Sequence, residues 1–175
     1  MQQEVLRAKQ LRRLALGPNM TLLFENRVTV RWQIHEMCRV EHISKEEGVE
    51  HEIESYNSLI PGESELSATL LVEYEDEAER KAMLTRLLGL KDHVRLEIEG
   101  TEPVPGVFDE GREDPESHRI SAVHFVRFSL DDAQRAGLLD LARPARFTVD
   151  HPAYEVTAPI PASTRGALAE DLAAD

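Results

Sequence analysis

One cysteine, Cys38, stands among the 175 residues. A lone thiol excludes an internal disulfide, a cysteine-held iron–sulfur cluster and a cysteine-rich zinc knuckle. Aromatic side chains make up 5%, too few for a nucleotide-stacking platform. No run approaches the roughly 18 apolar residues of a membrane span, so no membrane partner is expected. The opening Met-Gln-Gln-Glu-Val-Leu-Arg lacks the basic-then-apolar layout of a secretory signal, and the expectation is a cytoplasmic protein. Catalytic signatures are missing too. There is no glycine-rich phosphate loop, no His-Glu-x-x-His and no Gly-x-Ser-x-Gly elbow. Nor is there a Glu-x-x-His: three residues before His35, His42 and His51 stand Trp32, Arg39 and Gly48. A di-iron helical bundle needs that spacing to aim both side chains at one metal.

What is present is charge, unevenly spread. The net charge is −13. Residues 1–40 carry seven Lys/Arg against three Asp/Glu, whereas the acidity is densest from Glu41 to Glu79, with thirteen carboxylates against Lys45 alone. Such a surface repels nucleic-acid backbones, so a nucleic-acid partner through the basic start is the poorest of the functional readings. The charge keeps the chain soluble, and the basic N-terminus complements its own acidic middle. The length fits a single domain, 1–175, and 41% apolar residues can build one core.

Hydrophobic periodicity gives an order of elements. Val5 to Leu16 reads as a short helix stopped by Gly17-Pro18-Asn19. A long helix then follows, about 22–43, because no turn residue interrupts that run, although Val28, Val30, Trp32 and Ile34 also alternate as a strand would. Ser44 and Glu47 form a capping box for a helix to about Leu59, ended by Pro61-Gly62. Leu66–Tyr74 is a strand. Asp76 with Glu79 opens a helix that Gly89 closes. Val94, Leu96 and Ile98 alternate with charged residues as a half-buried strand, and Glu102 to Phe108 is extended. Asp109–Ser117 is a charged loop. Ile120–Phe128, apolar on both faces, is a central strand, and Asp131–Leu141 is a helix. Phe147–Asp150 and Tyr154–Ile160 are strands, and 161–175 is a loosely docked helix or tail. The sum is an α+β fold: N-terminal helices packed on a mostly antiparallel or mixed β-sheet.

On a helix through 22–43, Glu25, Thr29, Gln33 and Glu36 share an arc of roughly 80°. Two carboxylates on one arc can ligate a divalent metal or act as acid and base, or they can pair with arginines and face water. A second stripe holds Arg27, Arg31, His35 and His42. His124 sits on an apolar strand face, where a histidine either completes a core or supplies a ligand. His151, before Pro152, shapes a turn. If the charged loop folds over the sheet, Asp109 and Glu110 come near His124. The candidate metal set is therefore Glu25, Glu36, His124, Asp109 and Glu110, with a divalent ion as the cofactor and no other cofactor evident.

Several motifs stand in order along the chain: Leu14-Ala-Leu-Gly-Pro18, Thr21-Leu-Leu-Phe-Glu-Asn-Arg27, Gln33-Ile-His-Glu-Met37, Tyr56-Asn-Ser-Leu-Ile-Pro61, Ala68-Thr-Leu70, Val123-His-Phe-Val-Arg-Phe128 and Val149-Asp-His-Pro-Ala-Tyr154. Together they resemble the bacterial family catalogued as Domain of Unknown Function 3501, over nearly the whole chain. The resemblance implies a polar signature at Glu25, Asn26, Arg27, Gln33, Glu36, Tyr56, Asn57, His124, Arg127 and His151, which Arg39 joins as a candidate through its place in the densest motif. It also implies rubrerythrin-like and iron–sulfur oxidoreductase proteins as partners. Two functional classes follow as expectations: an accessory protein serving such redox partners, or a metal-binding protein or metal-dependent enzyme.

Overall fold

The computed structural model describes residues 1–174. Two antiparallel sheets pack face to face around one core, and helices close the ends. The first sheet orders its strands β1 (Arg13–Ala15), β2 (Met20–Glu25), β3 (Glu65–Val72), β9 (Val123–Ser129) and β6 (Val107–Phe108). The second runs β11 (Tyr154–Pro159), β10 (Ala145–His151), β4 (Val94–Ile98) and β5 (Val104–Pro105). A two-stranded ribbon, β7 (Glu113–Asp114) with β8 (Arg119–Ile120), rises from the charged loop. The expectation of an α+β fold with mostly antiparallel sheet is met.

Alternation dictates the packing. Successive side chains of a strand point to opposite faces, so register alone assigns each residue to a side. Leu22 pairs with Leu70 and Leu70 with His124, while Phe24 pairs with Ala68 and Ala68 with Val126. Met20, Leu22, Phe24, Leu66, Ala68, Leu70, Val126 and Phe128 are buried on that inner face. Val94, Leu96, Ile98, Phe147 and Val149 answer from the second sheet. Phe147 touches both Phe24 and Phe128, with ring centroids 5.3 and 5.1 Å apart. The chain crosses between the sheets at Gly106, whose N–H reaches the Val94 carbonyl. A Cβ there would lie 2.9 Å from Val126 Cγ1 and 3.2 Å from the Val94 oxygen, so only glycine fits the crossing.

The long helix about 22–43 is not what forms. Its first turns are strand β2, and helix α2 spans Arg27–Val40. The reason is tertiary: β2 pairs with β1 on one edge and β3 on the other, burying Met20, Leu22 and Phe24, and that outweighs an uninterrupted helical pattern. Likewise the helix expected over Val5–Leu16 is α1, Gln2–Leu11, and β1 follows it. Gly17-Pro18-Asn19 is then a hairpin turn between β1 and β2, with Gly17 at φ +70° and the Leu16 N–H bonded to the Met20 carbonyl. The capping box at Ser44 does not form. Helix α3 is Glu46–Asn57, with Lys45 at its N-cap and no side-chain cap. The Asp76 cap is as read: its carboxylate accepts from the Glu79 N–H and opens α4, Glu77–Arg86. Strand β9 pairs along its length with β3 but meets only Val107 and Phe108 on its other side, so β3 holds the centre.

The segment 161–175, expected as a loosely docked helix or tail, is helix α6, Ala162–Ala173, with Thr164, Arg165, Ala167, Leu168 and Leu172 buried; residue 175 lies outside the described residues. Arg165 anchors it. Its guanidinium donates to the carbonyls of Gly137, Leu138, Asp140 and Arg143, which include the last carbonyls of helix α5, Asp132–Leu139. Those carbonyls have no partner within their own helix, and a buried arginine with its five donors satisfies several at once.

Candidate functional site

The residues expected on one helical stripe divide between a strand end, a helix start and an exposed helix. Glu25 ends β2 on the outer face of the first sheet. Its carboxylate accepts from Thr29 Oγ1 at 2.5 Å and Thr69 Oγ1 at 3.0 Å. Asn26 is the N-cap of α2: its Oδ1 accepts from the Thr29 N–H at 3.0 Å, and its own N–H donates to Thr29 Oγ1 at 2.9 Å. This reciprocal box satisfies two amides where strand becomes helix. Asn26 Nδ2 also donates to Asp171 of α6 at 3.2 Å, and Arg12 grips the same carboxylate with two bonds of 2.8 Å. Glu25, Asn26, Thr29, Thr69, Arg12 and Asp171 thus tie the ends of β2, α2 and α6 together. Arg12 and Asp171 escaped the sequence reading because 159 positions separate them. The Asn26-x-x-Thr29 spacing was a visible cap signal.

Further along α2, Arg27 and Gln33 are exposed. Glu36 pairs with Arg39 at 2.9 Å, and that hydrogen bond holds its carboxyl below the usual range. Tyr56 is half-buried and Asn57 exposed at the end of α3. Arg127, on the outer face of β9, forms an ion pair with Glu65. His151 is buried; its Nε2 donates to the Leu88 carbonyl at 2.8 Å and its Nδ1 accepts from the Ala153 N–H at 3.0 Å. Both nitrogens are used, Nδ1 within the turn and Nε2 toward Leu88 after α4. Beside it stands His93, ring centroids 5.1 Å apart, bonded to Asp150 at 3.0 Å, a contact that no local motif announces.

His124 lies on the inner face, opposite in orientation to Glu25 and Arg127. The β2–β3–β9 sheet stands between them, so Glu25 and His124 cannot share a ligand. Glu36 is on exposed α2, tied to Arg39. What the fold does bring to His124 is the charged loop. A cavity of about 370 Å³ is lined by Leu90, Phe108, Ile120 and His124 with Asp109, Glu110, Lys91, Arg112 and Glu113. Asp109 is fully engaged: Oδ1 accepts from the Phe125 N–H at 3.0 Å, and Oδ2 from Arg112 Nε at 2.8 Å. Arg112 in turn lies 4.8 Å over the Phe125 ring. Glu110 is exposed. Among the described residues no three His, Cys, Asp or Glu side chains converge as a metal-holding group.

His124 is only 3% exposed. Its Nε2 faces the Ser121 carbonyl at 2.7 Å and is therefore the protonated nitrogen of the neutral ring. Nδ1 makes no hydrogen bond among the described residues. Burial pushes the imidazole pKa down from 6.5, against the opposing pull of the Ser121 carbonyl.

This is a two-sheet α+β protein in which hydrogen bonds of Glu25, Asn26 and Thr29 join a strand to a helix, and whose candidate pocket has one buried histidine in its lining. The chain belongs to the family described as Protein of unknown function (DUF3501), matched over residues 1–172. It is similar to a crystal structure of a novel protein of unknown function from Burkholderia pseudomallei K96243. The two are 40% identical, with a TM-score of 0.88, over 98% of this chain and 89% of that one. No curated protein matches. Among the described residues, no helix is long and apolar enough to cross a membrane.

The His124 environment has a testable consequence. The unfolded ring takes up a proton near 6.5 and the folded ring only at lower pH, so this group's contribution to stability is present above pH 6.5 and is lost as pH falls below it. NMR titration of the ring protons is expected to give a midpoint below 6.5. Urea denaturation is expected to show a loss of stability in acid that is smaller in His124→Gln. A midpoint at or above 6.5 would refute the assignment.

Proposed function

We propose that the protein is an accessory protein that acts by binding redox proteins of the rubrerythrin-like and iron–sulfur oxidoreductase kind. The observation behind this reading is how the polar signature is spent. Glu25, Asn26, Arg127 and His151 each have intramolecular partners that link separate elements of the fold, and Glu36 pairs with Arg39 on the surface of α2. The choice of partners rests on the family resemblance. The dense carboxylates of 41–79 offer a surface for a partner of opposite charge. Affinity capture of the tagged full chain from its own cells at low salt is expected to recover such redox proteins. Their absence under gentle conditions would contradict the reading.

A second reading is binding of a divalent metal at His124, favoured by its unpartnered Nδ1 beside the loop that carries Asp109 and Glu110. Glu25 and Glu36 drop out of that ligand set, and Glu110 would have to swing inward. Neutral imidazole is a good ligand for zinc-like ions, and the low pKa keeps it neutral. Elemental analysis of protein purified without chelator should then find about one equivalent of metal per chain, lost in His124→Gln. Metal far below one equivalent, and the same in the variant, removes this reading.

A further inference from the structure

Helices α2 and α3 form a hairpin arm; α1 lies along part of α2, where Arg31 and His35 border a hollow with Glu4 and Val5, and the rest of the arm has little cover. In α2 only Thr29 and Val30, at its root, are buried, and α3 has no buried residue. Val40 is 61% exposed and Ile53 39%. Helices of 14 and 12 residues sit at the lower limit of what survives in water without tertiary cover.

The charges on the arm are arranged. Arg27, Arg31, His35 and Arg39 recur every fourth position of α2, all exposed, within an arc of about 120°. Glu46, Glu50 and Glu54 recur every fourth position of α3, also exposed, with Glu47 beside them. Like charges spaced i, i+4 repel and weaken a helix by a few tenths of a kcal/mol per pair. Helix α3 has five glutamates and no Lys or Arg of its own. The arm does not neutralise itself either: among the described residues its one ion pair is Glu36–Arg39, inside α2. Arg39 apart, the charged groups of each stripe have no ion-pair partner among the described residues, and their complement in sign lies on the other helix.

From this we propose that the arm pairs with the arm of a second copy of the same chain. In a two-fold dimer, α2 of each copy lies against α3 of its partner, so the basic stripe meets the acidic stripe twice and the four helices form a bundle. Ile53, next to the acidic stripe on α3, gains cover in the same contact. A self-complementary surface of this kind is what a two-fold operator requires. The inference goes beyond the accessory role: the dimer uses the α3 glutamates and leaves the carboxylates from Glu63 to Glu79 for a redox partner.

Sedimentation equilibrium or light scattering of the full chain tests it. At low salt the mass is expected to be twice the 19.8 kDa chain, with dissociation promoted by salt. The variant Arg31→Glu with Arg39→Glu, and the variant Glu50→Lys with Glu54→Lys, change only exposed side chains. Each should weaken self-association at least about tenfold, and an equimolar mixture of the two should form the heterodimer. Circular dichroism of each variant confirms that the fold is retained. A monomer at every concentration overturns the proposal. So does a dimer indifferent to salt and to both charge reversals, since its interface would lie elsewhere, and so does a mixture that fails to pair.

Discussion

The contact of Phe147 with Phe24 and Phe128 decides which side of each sheet is interior, and everything else in the structure follows from that choice. With Phe24 and Phe128 turned inward, the two-residue period of β2, β3 and β9 sends Glu25, Thr69 and Arg127 outward and His124 inward. A one-residue slip in register would reverse all of them. The separation of the acidic and histidine candidates is thus a consequence of core packing. Replacing Phe147 by a small residue would open a cavity between the sheets, at a cost of about 3 to 5 kcal/mol.

The strand end at Glu25 shows how a family-like motif can be structural. Where β2 leaves the sheet, the chain must turn into α2 without orphaning amides. Asn26 and Thr29 do this with a reciprocal box, Glu25 receives both threonine hydroxyls, and Asp171 collects Asn26 and Arg12. Arg12 and Asp171 are 7% and 14% exposed, so their ion pair is shielded from solvent and a lone partner would leave a charge stranded. This joint locks α6 to the start of the fold, while Arg165 locks the same helix to α5.

Local signals were legible where local physics decides. The alternation of Val94, Leu96 and Ile98, the cap at Asp76, a helix opening at Asp131, and the hairpin around His151-Pro152 all stand in the structure. The loop with Asp109 and Glu110 does fold beside His124. The sequence reading failed where partners are distant. Met20–Glu25 has apolar residues that satisfy a helix or a strand, and pairing with β1 on one edge and with β3, some 45 positions away, on the other selects the strand. Helix α6 carries a weak apolar pattern, and its docking depends on an arginine reaching four carbonyls, which no hydropathy pattern reveals. Ser44 lost its cap because the chain turns at His42, in a left-handed conformation at φ 54°, and α3 begins after Lys45.

The central claim is that the Glu25–Thr29 segment is a structural joint. A double-mutant cycle on Asn26→Ala and Thr29→Val, read by urea denaturation, tests it most directly. The account predicts that each single change costs about 1 kcal/mol and that the double change costs clearly less than their sum, since the two residues act as one box. Unchanged stability in both single variants would contradict it and return these residues to the role of a binding site.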